Sequence, residues 1–195
     1  TWGDRLDEAL NTAHDPGTAN EFAARFRGAF SAAYREAYSL EVAVGDIQTL
    51  QKLTAERPLA VDFHRGSSKE EGSSGLKVWS FDKPISLSAR VPILENMGFR
   101  IVDEHTYHVA LQGEGAPDFW LHDMMLEGAN GTLPDLRELK ARLEIAFVMV
   151  MQGIAENDGY NGLVLAAGLG WRDVALVRTF SRYLRQIRIP FSQDY

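Results

Sequence analysis

Apolar residues recur at helical spacing along the first 56 residues. Leu6 and Leu10 lie four apart, and a second apolar face follows the turn HDPGT at 14–18, made of Phe22, Phe26, Ala29, Phe30 and Ala33. A third segment, about 39–55, opens on Ser39 as N-cap and carries Val42, Ile47, Leu50 and Leu53. The pattern predicts a helical lead-in over residues 1–56.

Beyond Pro58 the period changes to that of β-strands. Apolar and polar residues alternate in LAVDFHR (59–65) and LKVWSFD (76–82), which flank the polar loop RGSSKEEGSSG (65–75), and two further strand candidates are FRIVDEHTYHVAL (99–111) and DFWLHDMML (118–126). The last two candidates, 99–111 and 118–126, have mixed faces, which are typical of an antiparallel sheet covered on one side.

Helical patterns separate and follow these strands. SLSARVPILENMG (86–98) has Ser86 or Ser88 as N-cap, Pro92 in the first turn and Gly98 as terminating residue. LPDLRELKARLEIAFVMVMQGIA predicts a long helix with Thr132 as cap and Pro134 in its first turn. Strand, helix, strand, strand, helix is the order of a ferredoxin-like sandwich, so we expect an α+β fold with the sandwich strands and first helix at 57–132 and a helical connector at 133–195.

Composition narrows the classes of protein. The 195 residues are 45% hydrophobic and carry a net charge of -7, which disfavours nonspecific binding to nucleic acid or to an anionic membrane. The absence of cysteine excludes disulfides, thiolate metal sites and a cysteine nucleophile, and fits a reducing cytoplasm. The longest apolar run, IAFVMVM (145–151), is too short to span a membrane, and the start on Thr1 without Met indicates an excised piece of a longer chain.

The stretch AAGLGWRDVALV (166–177) invites a dinucleotide-binding interpretation. Gly168 and Gly170 fit the first two glycines of that fingerprint, but Asp173 stands at the third and would face two phosphates. Asp194 is at the distance of the ribose acid, yet the sequence stops before a sheet could be completed. A turn followed by a helix start is favoured, and a nucleotide-binding enzyme remains the alternative.

The histidines favour neither metal nor acid–base chemistry. His105 and His108 are three apart in a predicted strand, so they point to opposite faces and cannot chelate one ion together. His122 and Asp123 are adjacent in a strand and also diverge. We therefore expect exposed or hydrogen-bonded histidines and no metal site.

The C-terminal helix carries a candidate basic docking face. By helical spacing an apolar stripe is predicted at Val174, Val177, Leu184 and Ile187, and another face gathers Arg178, Arg182, Arg185 and Arg188. These arginines predict docking to an acidic partner or another domain, and the alternative is a merely solvated face.

Four stretches resemble the large bacterial NAD-specific glutamate dehydrogenases. They are YREAYSLEVAVGDIQTLQKL (34–53), PISLSARVPILENMGFRIVDEHTYHV (84–109), FWLHDMML (119–126) and AENDGYNGLVLAAGLGWRDVALVRTFSRYLRQIRIPFSQDY (155–195). The resemblance implies the last ACT-like module of the regulatory N-terminal half, with flanking helices, ahead of a catalytic domain that would bind NAD. LENMGFRIVDE (94–104) is similar to the helix-turn-strand of an ACT module, and the loop at 65–75 departs from the family.

The resemblance implies a noncatalytic regulatory and assembly segment, itself without cofactor, that contacts other domains of its chain in a cytoplasmic homo-oligomer. A second hypothesis is an amino-acid-sensing ACT-like module whose effector turn is Asn96, Met97 and Gly98. For Gly98 the alternative is a helix C-cap.

Overall fold

The computed structural model describes residues 1–65, 73–113, 115–131 and 133–187. Its helices are α1 (Trp2–Ala13), α2 (Pro16–Phe26), α3 (Ala32–Ala37), α4 (Leu40–Leu50), α5 (Leu87–Asn96), α6 (Lys140–Met151), α7 (Leu163–Ala167) and α8 (Trp171–Gln186), with a 3-10 helix at Gly159–Gly162 before α7. The strands are β1 (Leu59–Arg65), β2 (Ser73–Phe81), β3 (Phe99–Ala110) and β4 (Asp118–Gly128). No helix among the described residues is long and apolar enough to cross a membrane.

The four strands form one antiparallel sheet in the order β1-β2-β4-β3. This confirms the predicted α+β class with an ACT-like sheet flanked by helices. β2 departs from the one-sided burial expected from the mixed faces of β3 and β4, because all residues from Ser74 to Ser80 are buried and both faces of the strand are covered.

The chain groups into two compact units that interleave along the sequence. Unit 1 comprises residues 1–61, 77–85 and 104–124, and unit 2 comprises residues 62–76, 86–103 and 125–195. The sequential division at 57 and 133 stays a prediction.

Unit 1 is built on a hydrophobic core between the N-terminal helices and the strands. Leu6 and Leu10 are fully buried on α1, as their spacing predicts, and the core continues through Phe26, Ile47 and Phe119. The predicted single face from Phe22 to Ala33 is wrong in one respect, because α2 ends at Phe26 and α3 begins at Ala32 after the N-cap Ser31.

The break between α2 and α3 places extended backbone against the free edge of β3. Phe30 forms an antiparallel bridge with Val109, and the N–H of Ala110 donates to the carbonyl of Ala29 at 3.1 Å. Since an edge strand presents unpaired backbone groups, this pairing protects part of the sheet edge.

Unit 2 packs α6, α7, α8 and the 3-10 helix with α5. Residues 133–139 precede α6, so the predicted helix start at Pro134 is wrong. Asp135 accepts from the backbone N–H and the guanidinium of Arg137 at 3.0 and 2.8 Å, a local turn that competes with helix formation. Thr132, the predicted cap, lies outside the described residues.

Helix α6 protects the opposite edge of the sheet. The Glu144 carboxylate accepts the N–H of Phe63 in β1 at 3.0 Å, and Lys140 pairs with Asp62. Burial raises the pKa of Glu144, whereas the hydrogen bond from His64, followed by that from Lys140, lowers the pKa of Asp62 to about 2. Helix α6 therefore supplies an acidic side chain that accepts a backbone N–H of the edge strand and a basic side chain that pairs with a carboxylate of the same strand.

Candidate functional site

The predicted effector turn follows the end of α5. Pro92 lies inside α5 and not in its first turn as predicted, and Ser86 occupies the N-cap position without a side-chain cap bond. Met97 is the C-cap, and Gly98 has a φ of 93°, in the left-handed region that favours glycine. Gly98 thus stands one residue after the C-cap, with the backbone geometry of a helix-terminating glycine.

Other parts of unit 2 engage the groups of this turn. Met97 is fully buried, and the Asn96 amide donates to Asn157 Oδ1 at 2.9 Å. The carbonyl of Gly98 accepts the N–H of Ala129 at 2.9 Å. The two polar groups that an amino-acid ligand would address at Asn96 and Gly98 thus have partners within the chain, and an effector role for the turn stays a prediction.

Replacing Gly98 by alanine is expected to destabilise the chain by about 1–2 kcal/mol, since an L-residue at positive φ is strained. The added Cβ would also lie 3.3 Å from Leu165 Cδ2 of α7. Urea denaturation followed by circular dichroism would measure the loss. Gly45→Ala is the matched control, because Gly45 lies within α4 and nothing lies within 4 Å of its added Cβ. A Gly98→Ala variant that is as stable as the unsubstituted chain, or more stable, would contradict the geometry.

The glycines of AAGLGWRD end one helix and begin the next. Gly168 is the left-handed C-cap of α7 with a φ of 64°, and Gly170 is the N-cap of α8. The Asp173 carboxylate accepts the N–H of Gly170 at 3.2 Å. A carboxylate of the chain itself thus sits at the helix N-terminus, where a pyrophosphate would have to bind, so these residues do not fit the dinucleotide site.

Arg178 takes no part in an exposed basic face, contrary to the sequence prediction. Its side chain is 4% exposed, and the guanidinium donates to both carboxylate oxygens of Asp158 at 2.7 and 2.8 Å. It also donates to Asn161 Oδ1 at 2.9 Å. The pair fixes α8 on the 3-10 helix within unit 2.

The other three arginines of the predicted face differ in their surroundings. Arg182 pairs with Glu156, and this hydrogen bond lowers the pKa of Glu156. Arg185 is exposed, and Arg188 lies outside the described residues. Of the predicted apolar stripe only Val174 is buried, whereas Val177, Leu184 and Ile187 are exposed. Docking through the arginines stays a prediction. Because Arg178 and Arg182 are held in ion pairs, fewer arginines of the described residues are available for it than the sequence indicated.

The histidines are held by hydrogen bonds and ring stacking. His122 is buried, its Nε2 accepts the N–H of Ile85 at 3.0 Å, and its Nδ1 lies 2.9 Å from Thr106 Oγ1. His108 stacks on Trp120 with ring centroids 4.3 Å apart. Within residues 1–65, 73–113, 115–131 and 133–187 no three histidine or carboxylate groups are placed to hold a metal ion.

A buried charged network in unit 1 is the feature that the sequence reasoning missed. Lys77 Nζ lies 3.1 Å from both carboxylate oxygens of Asp46 and 4.3 Å from the ring centroid of Tyr38. Tyr34 donates to Asp46 at 2.6 Å, and Tyr38 donates to Asp123. Burial is the main cause of the raised pKa of Asp46 and of both tyrosines.

The charged and hydroxyl groups of this network are bonded to one another. The lysine is balanced by a carboxylate, and aromatic rings surround its charge. We interpret it as a structural element that fixes β2 against α3 and α4.

Three segments of the chain match families of one enzyme. Residues 9–53 match "Glutamate dehydrogenase, helical motif 2", residues 58–139 match "Glutamate dehydrogenase, ACT3 domain", and residues 155–195 match "Glutamate dehydrogenase, helical motif 3".

Curated relatives carry the same name. The chain is 41% identical over 88% of its length to an NAD-specific glutamate dehydrogenase of Pseudomonas aeruginosa. It is 38% and 33% identical, over its full length, to the NAD-specific glutamate dehydrogenases of Halomonas elongata and Mycobacterium tuberculosis. The matched region covers 10%, 12% and 12% of these three relatives, so the chain spans about a tenth of their length.

Proposed function

We propose that this chain, which belongs to the NAD-specific glutamate dehydrogenase family through its ACT3 domain and helical motifs, is a noncatalytic regulatory and assembly segment of such an enzyme. The parent enzyme would oxidise L-glutamate with NAD and water to 2-oxoglutarate, ammonia and NADH. The observation that carries the proposal is the match of residues 58–139 to the ACT3 domain, between two helical motifs of the same enzyme.

The geometry of the described residues supports a role apart from catalysis. Arg178 and Lys77 are held in ion pairs, and Asp173 occupies the helix N-terminus at which a cofactor phosphate would bind. NAD would therefore bind elsewhere in the parent enzyme. In this account, the segment acts through contacts with other domains of its polypeptide within a cytoplasmic homo-oligomer, without binding nucleic acid or membrane.

Regulation requires that the segment favour one state of the parent enzyme over another. A coupling of this kind is worth about 1–3 kcal/mol, or roughly 5- to 150-fold in affinity. The packed helices of unit 2 would transmit such a difference, since α8 is tied to the 3-10 helix by the ion pair between the buried Arg178 and the partly exposed Asp158.

The second candidate is an amino-acid-sensing module. The favouring observation is the ACT3 match, together with the turn of Asn96, Met97 and Gly98 after α5. A ligand there would have to displace the bond between Asn96 and Asn157, so binding would loosen the contact of α5 with the segment around Asn157.

A thermal-shift titration of the chain against single amino acids, with NAD as control, separates the two candidates. The mechanical role predicts one cooperative melt and no shift. A sensor predicts a shift with one amino acid, because a ligand at a hundred times its dissociation constant stabilises by about 2.7 kcal/mol. A shift that Asn96→Ala abolishes would replace the mechanical account with the sensor, and a shift with NAD would overturn both.

A further inference from the structure

Helix α8 exposes a continuous apolar stripe on the side turned away from its ion pair. Five large hydrophobic side chains of α8 and that of its C-cap residue remain between 38% and 57% exposed, namely Leu176, Val177, Phe180, Tyr183, Leu184 and Ile187. Their spacing of one, three or four residues places them within roughly a third of the helix circumference. Single exposed hydrophobic residues are ordinary, whereas six on one face of one helix form a patch.

The opposite side of α8 is already fixed in unit 2. Val174 and Arg178 are buried there, and Arg178 is held by Asp158 and Asn161. The helix therefore cannot turn its apolar stripe inward without breaking the ion pair of the buried Arg178. The exposure of the stripe is a consequence of this anchoring and not of a loosely attached helix.

The apolar area of the stripe distinguishes between two possible partners, a second copy of the chain and another domain of the same polypeptide. Two aromatic and four aliphatic side chains, each about half exposed, offer on the order of 500 Å² of apolar surface. A stable dimer of separate chains usually buries about 800 Å² per partner, whereas contacts between domains of one chain bury about 300–750 Å² on each side. Covalent linkage makes the smaller area sufficient, because it raises the effective concentration of the partner.

We infer that this stripe of α8 is the docking surface for an apolar face of another domain of the same polypeptide. The inference rests on the proposed function, which makes the chain a segment of a longer enzyme, and the relatives extend far beyond the matched tenth. It differs from the arginine face predicted from sequence, since the contact is apolar and lies on another side of the helix.

Hydroxyl-radical footprinting read by mass spectrometry tests the inference in the full-length parent enzyme and in the 195-residue chain. Labelling of Phe180, Tyr183 and Leu184 is expected to fall several-fold in the parent enzyme relative to the chain. Phe180→Asp in the parent enzyme is expected to restore labelling of Tyr183 and Leu184. Ile154→Asp is the matched control, because Ile154 is 58% and Phe180 57% exposed in the chain, and only Phe180 belongs to the stripe.

Light scattering of the 195-residue chain, with and without Phe180→Asp, tests the alternative occupant. A monomer in both cases is expected. A dimer that Phe180→Asp dissociates would assign the stripe to a second copy and overturn the inference. Equal labelling in parent enzyme and chain would also overturn it, while leaving the noncatalytic role to be judged separately by activity.

Discussion

Replacing Lys77 by methionine is expected to lower the free energy of unfolding by about 3–5 kcal/mol at neutral pH, because it leaves the buried Asp46 carboxylate without its counter-charge. The two side chains are 9% and 6% exposed, so water cannot take over the role of the lysine. Chemical denaturation monitored by tryptophan fluorescence would measure the loss. Lys52→Met, at an exposed position, should change stability by no more than about 0.5 kcal/mol.

The stability lost in Lys77→Met should be smaller at acidic pH than at neutral pH. Burial raises the pKa of Asp46 above its unfolded value despite the opposing effect of Lys77. A carboxyl group of this kind contributes stability that is fully present below the unfolded pKa and is lost as the pH rises through the folded pKa. Without Lys77 the folded pKa rises further, so protonation at about pH 4 should relieve part of the loss seen at about pH 8.

A double variant separates charge burial from packing. Lys77→Met with Asp46→Asn removes both charges and keeps an acceptor for Tyr34, so it should recover much of the stability lost in Lys77→Met. No recovery, together with a loss that is independent of pH, would mean that packing and not the ion pair accounts for the effect.

Replacing Arg178 by methionine is the second large effect, with an expected loss of about 2–3 kcal/mol. The variant removes the donor to Oδ1 of Asn161, a residue that is 4% exposed, and leaves Asp158 with only the more distant Arg182 at 4.0 Å as a charge partner. The value is set below that of a fully buried pair, because the Asp158 side chain is 30% exposed and partly hydrated.

Hydrogen exchange locates the effect of Arg178→Met. Amides of α8 and of the 3-10 helix should exchange faster, while those of α1 and α4 in unit 1 should be unchanged. Arg185→Met is the matched control on the same helix, since Arg185 is exposed, and it should shift stability by no more than about 0.5 kcal/mol. Equal effects of the two substitutions would contradict the anchoring role of Arg178.

The order of helices and strands was predictable because periodicity reports which side of an element is buried. Leu6 and Leu10 on α1 follow directly from that relation, whereas β2 is buried on both faces although its sequence alternates. Helix ends were less predictable, since local polar bonds decide them. Asp135 bonding to Arg137 delays α6, and the N-cap Ser31 starts a new helix where the apolar pattern continues.

The buried charges could not be assigned from one sequence because each depends on a distant partner. Arg178 lies four residues after Val174 and so shares its buried face, which the grouping of arginines overlooked. Asp46 lies on the α4 face that also carries Ala43 and Leu50. A carboxylate on an apolar helix face indicates that a partner group lies elsewhere in the chain. Only the folded structure identifies Lys77 as that partner.

The most direct test of the noncatalytic role is the initial rate of NADH formation at saturating glutamate and NAD, measured for this chain beside its parent enzyme. We predict a rate for the chain equal to that of the blank, while the parent enzyme turns over. Glutamate-dependent NADH formation by the purified chain, lost on substitution of a residue within it, would contradict the account.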